Sequence, residues 1–279
     1  MPQLHVHLAP PLVPRERLRG TAVVVIDLIR ATTTVCHALA AGARQVVPVA
    51  TLEEAKALRT GGPFPDALLG GERGAVRPEG FDLGNSPRDY TPAVVRGRTI
   101  LFTTSNGTRA ILHCGEADRV LLASFVNFHP VVEHLLRWLG ESDQAHILCA
   151  GRHQQPTTED TLLAGALVAE VLRQRKAETS DGPLSLKSSA PEALALWQQV
   201  AGELQLDPAR WSPQATRRLA AWLQEHTPGG RGVVQVGQGE DLLLCAQLNR
   251  TPVVPHVVPG NPWTIRLEET PSQSTPPSP

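Results

Sequence analysis

The stretch "AVVVIDLIRATTTVCHAL", Ala22–Leu39, decides the fold class. Its first five residues are apolar without alternation, as expected of a strand buried on both faces. Asp27 then interrupts the run, and Arg30 and three threonines, Thr32 to Thr34, follow where a helical period begins. A buried strand running straight into a helix is the repeating unit of a sheet covered by helices.

The same alternation continues along the chain. Apolar runs predict strands at 22–28, 45–50, 67–70, 99–103, 119–123 and 145–149, with helices at 32–41, 51–60, 106–113, 126–139 and 158–176. An α/β protein follows, a three-layer α/β/α arrangement whose central sheet is mainly parallel, with mixed pairing allowed. Residues 71–98 break the rhythm with a glycine- and proline-bearing loop. A loop longer than about 15 residues is usually functional or disordered, and Phe81, Leu83 and Tyr90 argue for order.

Residues 177–190 read as a polar connection, followed by helices near 191–205 and 212–226. The last apolar segments read as a turn, a helix and a strand returning to the core. The expected organisation is one domain over 1–266: a core at 20–176, a helical insertion at about 177–230, and a closing helix and strand at 231–266. Residues 267–279, rich in proline and serine, are expected to be a disordered tail.

Composition narrows the partners. A chain of 279 residues with 41% hydrophobic content can bury a large core, and a net charge of -1 gives no field for nucleic acid. No run approaches the roughly 20 apolar residues of a membrane span, and the first residues lack the order of a signal peptide; a cytoplasmic protein is the expectation. Cys36, Cys114, Cys149 and Cys245 are far apart in apolar surroundings and read as buried thiols. The ten histidines make no metal-binding pair on a helix. His5 and His7, two apart as strand neighbours on one face would be, read with the others as structural or surface residues.

The chemically capable residues gather where strands end, the place at which ligands bind in doubly wound sheets. Asp27 and Arg30 leave the first strand, Glu72 and Arg73 the third, "TTSNGT" the fourth and "CAGRHQQPTTED" the sixth. Each has a bland explanation as a cap, a turn or a dipole-complementing acid. Together they are harder to dismiss. Asp27, Glu72, Glu159 and Asp160 are hard oxygen ligands suited to Mg²⁺, Arg30 and Arg73 carry forks that grip phosphate or sulfonate, and Thr32, Thr33, Thr34, Ser105, Asn106, Gly107 and Thr108 lie at helix N-termini, which bind anions. Three β-branched residues opening a helix each sacrifice roughly half a kcal/mol relative to alanine. A single cap accounts for one of their hydroxyls and leaves the others unexplained.

These segments carry a resemblance. "VVIDLIRATTT" at 24–34, "LLGGERG" at 68–74, "GFDLGNSP" at 80–87, "TTSNGT" at 103–108, "ILCAGR" at 147–152 and "EDTLLAG" at 159–165 are similar to the 2-phosphosulfolactate phosphatase (ComB) family, in family order. "GEDLLLCAQLNRTPVVP" resembles its closing segment. Ser105 stands where the family motif has a third threonine, which keeps the hydroxyl. The resemblance implies Mg²⁺-dependent hydrolysis of (2R)-phospho-3-sulfolactate to sulfolactate and phosphate, a step of coenzyme M biosynthesis. The substrate would be a small anionic phosphoester, and a homo-oligomer is compatible with the reading.

In the mechanism this suggests, Asp27, Glu72 and Asp160 hold Mg²⁺, directly or through water. The metal and Arg30 neutralise the phosphoryl oxygens, and the threonines and the Asn106–Gly107–Thr108 turn orient the substrate. Water attacks phosphorus in line with Glu159 as base. A covalent route through Asp27 is the alternative; enzymes that use it usually place a second aspartate two positions on, where this chain has Ile29. Two rivals from other classes remain: an isochorismatase-like hydrolase using Cys149, and a non-enzymatic anion-binding module, against which stands the absence of a phosphate-binding glycine motif.

Overall fold

A computed structural model describes residues 1–177 and 183–267 of the chain. The strands are β1 (Gln3–His7), β2 (Ala22–Ile26), β3 (Gln45–Pro48), β4 (Leu68–Gly71), β5 (Thr99–Thr103), β6 (Arg119–Ala123), β7 (Gln144–Cys149), β8 (Ser185–Ser188), β9 (Pro255–Val258) and β10 (Thr264–Leu267). The helices are α1 (Ala31–Ala40), α2 (Leu52–Thr60), α3 (Pro92–Val95), α4 (Gly107–His113), α5 (Phe128–Glu141), α6 (Thr158–Ala177), α7 (Ala190–Leu204), α8 (Pro213–His226), α9 (Pro228–Gln235) and α10 (Asp241–Cys245).

The strands form one sheet in the order β4-β5-β3-β10-β9-β6-β2-β7-β1-β8. Two parallel halves, β4-β5-β3 and β6-β2-β7-β1-β8, are joined by the β9–β10 hairpin, which pairs antiparallel with β3 on one side and β6 on the other. The sheet is therefore mostly parallel and locally mixed.

β2 shows why the first apolar run lacks alternation. Ala22, Val24 and Ile26 enter one core cluster and Val23 and Val25 the other, so both faces are covered. Each fully buried valine or isoleucine contributes about 1.5–3 kcal/mol relative to exposure. On the first face α5 presents Phe128, Val131, Leu135 and Leu139, an i, i+3, i+4 stripe, beside α6, α7 and α8. On the second, α1 and α4 bring Val35, Leu39 and Ile111 against residues of both parallel halves. α2 covers the opposite side of the β3–β5–β4 end, over Val47, Leu69 and Leu101.

Several boundaries differ from the expectation. β4 lies one residue later and α5 two residues later than the apolar runs place them. β1, β8 and β10 were not expected as strands. β8 sits inside the stretch read as a polar connection and pairs with β1, so the insertion supplies an edge strand as well as helices. Leu267, expected to open the tail, ends β10, and residues 268–279 lie outside the described part. The four cysteines are free and buried. Among the described residues no helix is long and apolar enough to cross a membrane.

Candidate active site

Beyond the carboxyl ends of β2, β4, β5 and β7 lies a cavity of about 450 Å³. Asp27, Ile29 and Arg30 enter from the β2–α1 turn, Glu72 and Ala75 follow β4, Asn85 comes from the long loop, and Ser105 and Asn106 from the β5–α4 turn. Gly151, Arg152 and His153 follow β7, Thr157, Glu159 and Asp160 open α6, and α9 closes the space with Gly229, Gly232 and Val233.

Four buried carboxylates meet here, each held by main-chain N–H groups. Ala31 N donates to Asp27 Oδ1 at 3.3 Å, and Gly107 N–H also reaches Asp27. Gly107 has to lack a side chain, since a Cβ would lie 2.6 Å from Asp27 Oδ2 and 2.6 Å from Ala31 Cβ. Glu72 accepts from Ser105 N and Ala75 N, both at 2.7 Å. Asp160 accepts from Leu28 N at 2.9 Å and Gly151 N at 3.0 Å, tying the ends of β2 and β7 together. Glu159 Oε1 accepts from Gly229 N at 2.9 Å.

Crowding these groups is costly. Burial first, then the neighbouring Glu72 carboxylate, pushes Asp27 up to about 7 in spite of its N–H donors. Asp160 is raised well above the usual carboxylate range by burial, then by Asp27 and Glu159. Glu159 is raised chiefly by burial. The cluster needs a proton or a cation to balance it. Three further buried atoms of cavity residues, Asn85 Oδ1, Thr157 Oγ1 and Glu159 Oε2, have no protein partner. Unpartnered oxygens beside clustered carboxylates suit a hard divalent cation with its water and an oxygen-rich ligand.

The other expected residues are placed less uniformly. Arg30 lines the cavity, yet it is buried, with its guanidinium bound to Asp241 at 2.6 Å, to Gln238, and to Ala75 O at 3.1 Å. Arg73 is absent from the cavity wall; its guanidinium donates to Glu72 O, Ala50 O and Thr103 Oγ1. The threonine hydroxyls turn inward as well. Thr32 Oγ1 donates to Asp27 O, Thr33 Oγ1 meets Leu28 O and Ser124 Oγ, and Thr34 Oγ1 donates to Asn85 O. Thr108 Oγ1 donates to Thr104 O. These hydroxyls stitch the turns together, and that role accounts for the threonine triplet without a ligand.

Cys149 is a core residue of β7 whose thiol burial holds well above its ordinary range, with the Asp160 carboxylate adding to the effect. A buried, protonated thiol off the cavity wall is a poor nucleophile. Arg152, His153 and the α9 glycines Gly229 and Gly232 are cavity residues beyond those expected from the sequence. The first two lie in a stretch already singled out at a strand end. Gly229 stands 70 residues from the carboxylate it binds, in the segment with least motif signal.

A family model for 2-phosphosulpholactate phosphatase matches residues 7–260. A probable 2-phosphosulfolactate phosphatase of Symbiobacterium thermophilum is 42% identical over 248 residues, 88% of this chain and 95% of that protein. Proteins of the same description from Synechococcus sp. (strain RCC307) and Carboxydothermus hydrogenoformans are 36% and 33% identical, covering 93% and 86% of this chain and 97% and 89% of their own lengths. With its motifs at the cavity and the match running through both halves of the sheet, the chain belongs to the 2-phosphosulfolactate phosphatase family, whose members are phosphoric monoester hydrolases.

Proposed function

We propose that this protein hydrolyses (2R)-phospho-3-sulfolactate to (2R)-3-sulfolactate and phosphate with Mg²⁺, as a step toward sulfolactate and coenzyme M. The observation that carries this is the convergence of Asp27, Glu72 and Asp160 on one cavity together with partnerless buried oxygens. These three carboxylates would hold the metal, directly or through its water. When bound, Mg²⁺ supplies positive charge for the cluster and for the phosphoryl oxygens of the substrate.

The rest of the chemistry falls to the chain. Glu159 has one oxygen fixed by Gly229 N–H and the other without a partner, so it is the carboxylate free to take a proton from attacking water. Arg152, on the cavity wall and exposed, offers a fork to a second anionic group of the substrate. Arg30, neutralised by Asp241, fixes the wall more than it supplies net charge.

Phosphate release from phosphosulfolactate and from phosphorylated hydroxy acids lacking the sulfonate, with and without EDTA, tests both parts. Preference for phosphosulfolactate and loss of turnover on chelation are expected. Full turnover after metal removal would overturn the magnesium assignment, and hydrolysis confined to other esters would overturn the substrate.

A further inference from the structure

Away from the carboxylate cavity, the sheet brings His146 beside His5 and His7, which lie about 140 residues earlier in the chain. β1 and β7 pair in parallel with His5 opposite His146, and His7 follows two residues along. Leu4 and Val6 turn into one core, so by strand alternation the histidines share the other face. His7 and His146 are buried and His5 is partly exposed. The His5 and His7 rings lie 4.5 and 5.3 Å from the His146 ring, and His7 Nε2 sits 3.0 Å from His146 Nδ1. One nitrogen from each residue falls within 4.8 Å of the other two. His146 Nε2 is buried with no partner.

We propose that His5, His7 and His146 form a second metal site, specific for a borderline divalent transition cation such as Zn²⁺. Three imidazoles and no carboxylate make a poor site for Mg²⁺ and a good one for zinc, nickel or copper. Zinc–nitrogen bonds of about 2.0–2.1 Å bring ligand nitrogens to roughly 3.3 Å of one another. The His7–His146 pair is already near that spacing, and His5 closes by turning its ring. Because the rings are stacked, within 17° of parallel, binding also rotates them until their lone pairs converge. The metal replaces the His7–His146 hydrogen bond, and the ring that donated its N–H to that bond carries the proton on its other nitrogen once the metal is bound. His5, at the open side, provides the entry, and water completes the coordination. Lys187 and Arg17 lie near enough to act on His5 and oppose an incoming cation, which makes this an open site weaker than a closed four-ligand one.

The test uses the full-length protein stripped of metal, then dialysed against Zn²⁺ in excess Mg²⁺ so that the carboxylate cavity is not the acceptor. One zinc equivalent is expected. His5→Gln and His7→Gln should each weaken it by at least the roughly 10–100-fold that loss of a mere supporting contact costs, with unchanged circular dichroism, and Asp27→Asn should retain it. His5, being partly exposed, is the substitution that least disturbs packing. Absence of a bound equivalent, wild-type affinity in both histidine variants, or loss only in Asp27→Asn would overturn the proposal. It stands or falls independently of the phosphatase reading.

Discussion

Arg30 and Asp241, 211 residues apart, form an ion pair of 2.6 Å whose side chains are 1% and 0% exposed. Asp241 also accepts from Ser86 Oγ at 2.7 Å and pairs with Arg88. The closing segment thus locks the β2–α1 turn against the long loop. Asp241→Ala leaves a buried guanidinium without its counter-charge, and the expected cost is about 3–5 kcal/mol of unfolding free energy. Urea denaturation of Asp241→Ala, Arg30→Met and the double variant measures this, with the double variant recovering part of the loss.

The inward hydroxyls give a second prediction. If Thr33 Oγ1 serves Leu28 O and Ser124 Oγ, Thr33→Val should lower stability by about 0.5–1.5 kcal/mol and leave turnover within a few-fold. A large rise in KM with intact stability would return the triplet to the substrate site.

What the sequence made legible follows from the range of the interactions. Asp27, Glu72 and the Glu159–Asp160 pair stand out because each ends or follows an apolar run, a local signal. The partners that decide their roles do not. Asp241 occupies the guanidinium of Arg30, and Gly229 holds Glu159, across separations no periodicity encodes. β1 escaped notice for a related reason. In "QLHVH" the histidines read as structural or surface residues, and only the pairing of β1 with β7 places a buried His7 beside His146. The parallel halves were visible as apolar runs, but only pairing in three dimensions places the antiparallel hairpin between them.

Glu159 and Gly229 test the proton transfer together. Glu159→Gln keeps an oxygen for Gly229 N–H but loses the base, and kcat should fall about 10²–10⁴-fold with the fold preserved. Gly229→Ala places a Cβ against Glu159 Oε1, so kcat should fall there too, with substrate KM little changed. Steady-state kinetics of both variants decide the matter; wild-type kcat in Glu159→Gln would remove it from the chemistry.

The charge crowding at Asp27, Glu72 and Asp160 predicts stabilisation by magnesium. A cation that binds only the folded cluster adds about 2.7 kcal/mol at a hundred times its Kd, roughly 5 °C in Tm for a chain of this size. Thermal melts with and without Mg²⁺ measure it, and the shift should shrink in Asp27→Asn. An equal shift in that variant would place the ion elsewhere.

The thiols separate this site from a cysteine-based one. Cys36, Cys114, Cys149 and Cys245 are all buried and free, and burial pushes Cys114 and Cys245 up to about 12. A thiol reacts as its thiolate, so at pH 8 almost none is available, and packing blocks the reagent besides. Titration with a disulfide reagent should therefore detect no fast-reacting thiol in the native protein and four after denaturation. Alkylating reagents should leave turnover intact over the same period. Rapid modification of Cys149 with parallel loss of activity would contradict both its burial and the carboxylate mechanism, because Cys149 lies in the core and reaches no substrate from there.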